Sequence, residues 1–404
     1  MIIEPKVRGF ICTTAHPAGC AARVTEQIDF VRQHGVQHGN IKNVLVIGAS
    51  TGYGLASRIV ASFGFEANTI GVFFEREAAD KRTASAGWYN TAAFEKDAHR
   101  AGLYARSFNG DAFSLAMKQQ VIDCIKKDLN GQIDLVIYSV AAPRRQDHEG
   151  NQYSSVLKPI GKPYQDKTVD IISGVVSTAN IDPATPEEVA QTEKVMGGED
   201  WALWINALIE ANVLSNKATT VAYSYIGPEM TYPIYHDGTI GAAKKHLDKT
   251  ARELDSLLAK HCGGRAIVSV NKALVTQASS AIPVVPLYIS ILYKIMKEKN
   301  IHEGCIEQMW RLFNNYLNKD TFANLDSEHR IRIDDLELRA DIQAEVAKVW
   351  QQVDTDNIEQ LTDIEGYRKD FYQLFGFACG QIDYASDVDI NVDIPSIHLE
   401  SEAV

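Results

Sequence analysis

Between Tyr223 and Lys245 the chain reads Tyr-Ser-Tyr-Ile-Gly-Pro-Glu-Met-Thr-Tyr-Pro-Ile-Tyr-His-Asp-Gly-Thr-Ile-Gly-Ala-Ala-Lys-Lys, which sets four phenols and two ammonium groups in one short passage. A phenol beside a cation can hydrogen-bond an oxygen that is gaining negative charge, while the cation steadies that charge. The β-branched run Thr219-Thr220-Val221 leads in and an amphipathic helix leads out from Thr239. That pattern predicts a strand-to-helix crossover, where open α/β sheets place their ligands.

Spacing separates the candidates. Tyr235 and Lys244 are joined as Tyr-x8-Lys, and at about 100° per residue they would face opposite sides of one continuous helix. Asp237-Gly238-Thr239 reads as a helix start, which leaves Tyr235 in the preceding loop and Lys244 in the second turn, both able to face one cleft. The stripe Ile240, Lys244, Leu247, Ala251, Leu254, Leu258 follows a buried helix face with Lys244 as its single charge. Lys245 falls with Asp248, Lys249 and Arg252 on the polar side. A lysine on a buried face near a helix N-terminus is opposed by desolvation and by the dipole, so it calls for a partner; the alternative is that it snorkels to solvent. Tyr223 and Tyr225 share one strand face, Tyr225 lies nearer the ligand end and is the substrate-contact candidate, and Tyr232 is assigned to packing.

These groups need a scaffold, and the first half of the chain supplies one. Val44-Leu45-Val46-Ile47 runs into Gly48-Ala49-Ser50-Thr51-Gly52-Tyr53-Gly54 and then a helix with Leu55, Ile59 and Phe63 on one face. An apolar strand, a glycine-rich turn and a helix form the first unit of a dinucleotide fold, with the turn Gly48 to Tyr53 as the expected cofactor cradle at the helix N-terminus. A second strand, Thr69 to Phe74, ends in Glu75, an acid placed to accept from adenosine ribose hydroxyls and repel a 2′-phosphate, which favours NADH; Arg76 beside it would instead welcome that phosphate. Further on, Tyr104 to Phe108 ends at Asn109-Gly110-Asp111-Ala112, where Asp111 caps the next helix or meets adenine, or both. Asp134 to Pro143 is a strand ending in small residues that let a cofactor lie against backbone.

From Arg144 to Asp200 the alternation breaks. β-like pieces Val169 to Ser173 and Val175 to Ile181 flank Gly174 and predict a hairpin near the site. Lys158, Lys162, Lys167, Arg144 and Arg145 are either a solvated face or a landing place for a phosphorylated carrier. After a helix Trp201 to Leu214 come the strand to Tyr225, the helix Thr239 to Lys260, and a strand Ala266 to Val270. The segment Ala281 to Met296 is apolar but broken by Pro283 and Pro286, too short to span a bilayer. The remainder is mostly helical, with Phe377 to Ile397 adding an edge strand or wrapping the body. The expected organisation is one enlarged Rossmann-type domain, doubly wound, with helices on both faces: a preface (1–40), a first nucleotide-binding half (41–143), an insertion (144–200), a second half with the catalytic residues (201–300) and a C-terminal extension (301–404).

A net charge of −12 excludes general affinity for nucleic acid or anionic membrane. Six cysteines without a C-x-x-C pair point to a reduced, cytoplasmic setting without structural metal, and His16 to Cys20 reads as a plain turn. The N-terminus lacks a signal-peptide profile.

The Gly48 turn, Phe74-Glu75, the Tyr235-x8-Lys244 pair and the loop Ala273-Leu274-Val275-Thr276 resemble the FabV-type enoyl-acyl-carrier-protein reductases and the closely similar trans-2-enoyl-CoA reductases, along the whole chain. Ordinary short-chain dehydrogenases use Tyr-x3-Lys and the better-known enoyl reductases Tyr-x6-Lys. The resemblance implies NADH-dependent reduction of the 2,3 double bond of an enoyl thioester, carried on coenzyme A or acyl carrier protein, by a monomer. It further implies Tyr235 and Lys244 as the catalytic pair, with Lys244 also on the nicotinamide ribose. Tyr225 would touch substrate, Ser139, Val140 and Ala273 to Thr276 would line the cofactor, and the apolar segment after Thr276 would accept the acyl chain. A ketone reductase of the short-chain type and a non-catalytic NAD sensor are the competing readings.

Overall fold

In the computed structural model, which describes residues 1–318, 325–380 and 382–398, the strands of the main sheet are near-continuous apolar runs. Val44, Leu45, Val46 and Ile47 are all fully buried, as strands covered on both faces must be. Alternate residues serve opposite layers. Val44 and Val46 pack with Val24, Ile28, Leu55, Ile59 and Phe94, whereas Leu45 and Ile47 pack with Val121, Ile125, Trp204, Leu247 and Leu254.

From edge to edge the sheet runs Ile331–Arg332, Arg265–Val270, Leu214–Ser224, Ile133–Tyr138, Asn43–Ile47, Asn68–Phe73, Ala105–Asn109, every neighbour parallel. The chain begins in the middle, builds outward on one side, then returns and builds on the other. The direction reverses between Asn43–Ile47 and Ile133–Tyr138, and the crevice at their carboxyl ends is the ligand position of a doubly wound sheet. The expected fold class is therefore the observed one.

The insertion does hold a hairpin, but its first arm lies earlier than the sequence pattern indicated: Tyr164–Val169 pairs with Val176–Ile181. Asp170 is the reason, because its carboxylate accepts from the Ile172 and Ser173 amides and so turns the segment to Gly174 into the bend. A second small hairpin, Arg144–Gln146 with Gln152–Ser154, and a helix, Pro186–Met196, complete the region. The helix expected over Trp201 to Leu214 spans Glu199–Glu210, since Asn212 adopts a positive φ of 55° that ends it and Leu214 already belongs to the strand.

A third apolar layer is built by the helices Val285–Glu298, Ala340–Gln352 and Ile364–Gln373, which bury Tyr288, Ile342, Val346, Ile364 and Phe371 together with Tyr235 and Ala273 to Val275. The tail wraps the body and adds no strand among the described residues. Trp88 and Tyr89 donate to the Val392 and Ile390 carbonyls, and the Ser396 hydroxyl bonds Glu95 while accepting from the Ser107 amide of the edge strand. A side chain thus caps that edge where a ladder could have formed. Parts of the C-terminal extension, 319–324 and 399–404, lie outside the described residues. No helix among those described is long and apolar enough to cross a membrane.

One buried ion pair fixes the turn after the strand Ala105–Asn109. The Lys118 ammonium donates to Asp200 at 2.8 Å and to the Ala112 and Phe113 carbonyls, while Tyr138 donates to the other Asp200 oxygen. Removing one partner strands a desolvated charge, so Asp200→Ala is expected to lower the unfolding free energy by about 3 kcal/mol in urea denaturation. A loss below about 1 kcal/mol would show that the pair does not hold the turn.

Candidate active site

Past Ser224 the chain leaves the sheet through a loop that folds on its own hydrogen bonds. The Tyr235 amide donates to the Thr231 carbonyl, Asp237 to Tyr232, and Gly241 in the first helical turn back to Tyr235. A Cβ on Gly241 would stand 1.8 Å from the His236 carbonyl oxygen, so only glycine lets the helix Thr239–Cys262 close onto this loop. The loop therefore presents Tyr235 just ahead of the helix, with Lys244 in its second turn, as the spacing required.

Tyr235 is 7% exposed, and its ring meets the Tyr225 ring edge-on at 5.1 Å. None of the described residues hydrogen-bonds its hydroxyl, and burial raises its pKa, so it is a protonated phenol throughout the physiological range. On the helix, Ile240, Leu247, Ala251, Leu254 and Leu258 are buried and Lys245 is exposed. The half-buried Lys244 does not snorkel. Its ammonium donates to the Tyr223 carbonyl at 3.0 Å, and desolvation lowers its pKa to about 8 against the opposing charge of Asp248. Tyr223 itself bonds Ser57 at 2.6 Å and is used up in packing.

The glycine turn has the form a pyrophosphate needs. Gly48 has φ 88°, and a Cβ there would stand 2.1 Å from the Ser139 carbonyl oxygen; a Cβ on Gly54 would stand 1.9 Å from the Gly48 carbonyl oxygen. The turn, the strand end at Ser139 and Val140, and the start of the helix Gly52–Ile59 are thereby drawn together, with Thr51 as N-cap and Ala49 buried below. Glu75 accepts from Ser50 at 2.7 Å, its backbone is clasped on both sides by the Asn109 amide, and desolvation raises its pKa despite Ser85 and Ser50. Arg76 turns away to the Thr83 carbonyl. Phe74 is 80% exposed beside Glu75. Asp111 takes the Phe113 amide, while the cap of the helix Leu115–Asp128 is Ser114, which corrects one of the two expected uses of Asp111. Ala112 is held by Lys118 and Trp204.

The loop Ala273 to Thr276 is buried except for its last residue. Two charged residues that the sequence reading passed over hold it. Lys272, 2% exposed, donates its ammonium to the Ala273 carbonyl, and desolvation lowers its pKa to about 8. Glu337, fully buried, accepts from the Ala273 amide at 2.7 Å, from Tyr288 at 2.7 Å and from Tyr225 at 3.1 Å. The available signal for Glu337 was an acid between Leu336 and Leu338, and for Lys272 a lone cation closing an apolar strand.

Of the basic residues in the insertion, Lys158 pairs with Glu188, Lys167 caps the carbonyls of Trp350 and Val353, and Arg145 is buried against Lys194 and Glu199. Only Arg144 and Lys162 among the five are exposed. No group of three metal-ligating side chains occurs among the described residues.

Family models for the NAD(P)H binding domain and the catalytic region of trans-2-enoyl-CoA reductase match residues 2–80 and 82–318. The chain belongs to the trans-2-enoyl-CoA reductase family. Relatives include an enoyl-[acyl-carrier-protein] reductase [NADH] of Coxiella burnetii, 62% identical across 100% of this chain and 99% of that one. A trans-2-enoyl-CoA reductase [NADH] of Ruminiclostridium cellulolyticum is 55% identical across 98% of this chain and 100% of its own. The crystal structure of Clostridium acetobutulicum trans-2-enoyl-CoA reductase in complex with NADH superposes with a TM-score of 0.94 at 46% identity, covering 96% of this chain and 98% of that one.

A third family model, described as an enoyl reductase FAD binding domain, matches residues 325–388. The described residues there do not fit a flavin. The helices pack Ile342, Val346, Ile364, Tyr367 and Phe371 into the core, the buried Glu337 and Asp334 are matched by Ala273, the two tyrosines and Arg332, and the helix start at Ile364 is capped by the Asp363 carboxylate, which would repel a diphosphate.

If Glu75 reads the adenosine ribose, Glu75→Ala is expected to shift the ratio of NADPH to NADH affinity by roughly tenfold toward NADPH, the scale of one removed charge repulsion near the surface. Fluorescence titration of both nucleotides measures it, and an unchanged ratio would take that role from Glu75.

Proposed function

We propose that this protein reduces the 2,3 double bond of trans-2-enoyl thioesters with NADH, as a step of fatty acid biosynthesis. The observation that carries the reading is a buried phenol that no described residue hydrogen-bonds, Tyr235, packed edge-on against Tyr225 in the loop that enters the helix of the half-buried Lys244, in a chain whose glycine turn has the form a pyrophosphate needs.

When bound, NADH supplies the hydride that adds to C3 of the enoyl group. Negative charge then builds on the thioester oxygen, and Tyr235 stabilises it by donating a hydrogen bond from a hydroxyl that stays protonated at working pH. Tyr235 also acts in the protonation at C2. Lys244 holds the nicotinamide ribose and offsets the charge around the phenol. Tyr225 touches the substrate beside Tyr235. Gly48 to Tyr53, Phe74, Glu75, Asp111, Ala112, Ser139, Val140 and Ala273 to Thr276 line the dinucleotide. The apolar helix Val285–Glu298, which packs with Ala273 to Val275, borders the acyl chain.

The chain is read as one enlarged domain, supported by the seven-stranded sheet that both halves share, and as a protein of a reduced, cytoplasmic setting, supported by its six free cysteines. The thioester is carried by coenzyme A or acyl carrier protein, the carriers named for the relatives. Rates on one acyl group attached to each decide between them, with Arg144 and Lys162 as the exposed cations of the insertion.

NADH absorbance followed with crotonyl-CoA and with simple ketones tests the reaction; consumption with ketones alone would replace the enoyl reading. Tyr235→Phe is expected to lower kcat by about 100-fold, the scale of one lost acid group, with NADH binding nearly intact, and wild-type turnover would remove Tyr235 from the chemistry.

Lys244 sets the pH dependence. Below its pKa of about 8 it is an ammonium able to donate, and above it the charge is lost. The value of kcat/KM for NADH reports the free enzyme, so it should be level on the acid side and fall as pH rises through about 8. In Lys244→Arg the fall should move up by at least about one unit, because guanidinium keeps its proton; an unmoved limb would assign it to another group.

A further inference from the structure

The first and second halves of the molecule supply the cofactor turn and the catalytic tyrosine, yet the carboxylate that touches both sides of the site comes from neither. Glu337 sits on the segment between the edge strand Ile331–Arg332 and the helix Ala340–Gln352. One of its oxygens accepts from the Tyr225 and Tyr288 hydroxyls and the other from the Ala273 amide. Its own backbone is fixed from behind, since the Gln343 amide donates to the Glu337 carbonyl at 2.7 Å and to the Tyr288 hydroxyl at 3.1 Å.

The Ala273 amide and two phenol hydroxyls donate to this side chain as a carboxylate, while desolvation raises its pKa. Full burial makes such a charge costly unless it is compensated. The compensation is the buried Lys272 ammonium, whose charge acts on Glu337 while its hydrogen bond goes to the Ala273 carbonyl. The neighbouring backbone is tied in the same way: the Lys272 amide donates to Gln308, its carbonyl accepts from Tyr53, and the Val275 amide donates to Tyr293. A carboxylate kept in the core against this cost, and shared between a substrate-side phenol and a cofactor-side amide, has a use beyond filling space.

We propose that Glu337 is a positioning residue for the reduction: through one carboxylate it sets the Tyr225 hydroxyl, and with it the ring that packs edge-on against Tyr235, in register with the Ala273 backbone of the loop along the cofactor. The inference rests on the reading of this site as an enoyl reductase. Glutamine has the same shape, but its amide NH2 must face either the Ala273 N–H or the two phenols, so it cannot satisfy all three donors as they stand.

The test compares Glu337→Gln, Tyr225→Phe and the double variant in the full-length protein, by kcat and KM for crotonyl-CoA, by the Kd for NADH from fluorescence titration, and by thermal melting. Glu337→Gln is expected to lower kcat at least tenfold and to weaken NADH several-fold, whereas Tyr225→Phe leaves the NADH Kd unchanged. The double variant should have a kcat within about twofold of the weaker single variant, because coupled residues are not additive. A Glu337→Gln protein that melts lower but keeps wild-type kcat, KM and NADH Kd would make the residue purely structural, and fully multiplied losses in the double variant would also overturn the proposal. If Glu337→Gln does not fold, Tyr288→Phe removes the hydrogen bond that steadies the same oxygen. A several-fold fall in kcat then supports the proposal and unchanged kinetics overturn it. Wild-type protein that binds NADH without reducing crotonyl-CoA would fail the enoyl reading itself, and the NADH Kd of Glu337→Gln still tests the tie to Ala273.

Discussion

Every loop that leaves the carboxyl edge of a parallel sheet carries amides and carbonyls that no strand can pair, and leaving them unpaired in a buried site costs as much as a lost hydrogen bond. In this protein distant side chains pair them. Asn109 clasps the backbone of Glu75, Lys244 caps the carbonyl of Tyr223, and Glu337, Gln308, Tyr53 and Tyr293 hold the loop from Lys272 to Val275. The site can be buried and still have a defined backbone because of these bonds.

This constraint explains why the chain is long for its sheet. The third layer, from Val285–Glu298 to Ile364–Gln373, covers the loop after the strand Arg265–Val270 and brings Tyr288, Tyr293 and Glu337 beneath it. Lys272 and Glu337 are charges that a core would normally exclude, and each offsets part of the desolvation of the other. A flavin reading of the described residues of 325–388 fails because the buried Glu337 is committed to the loop at Ala273 and the buried Asp334 to Arg332.

Much of this was legible in advance where a local period or a local spacing carried it. The strand Asn43–Ile47 and its glycine turn are contiguous in sequence, so their pattern survives any tertiary context. The helix of Lys244 announced its buried stripe, and Asp237-Gly238-Thr239 marked its start within a residue of the observed one. Boundaries failed where a single side chain outvoted the pattern: Asp170 pulled five residues into a bend, Asn212 stopped a helix early, and Ser114 took the cap allotted to Asp111. The tail from Phe377 to Ile397 read as either an edge strand or a wrap around the body, and a Ser396 hydroxyl fills the Ser107 amide that a strand would have paired.

The sequence by itself determined the doubly wound sheet, the dinucleotide turn and the separation of Tyr235 and Lys244 between loop and helix, because each depends on residues close together along the chain. Only the tertiary structure decided what those groups face. Tyr225 meets a carboxylate 112 residues away, and the Ala273 amide meets the same carboxylate 64 residues away. Such pairings are set by how layers stack, and no spacing along a single element encodes them.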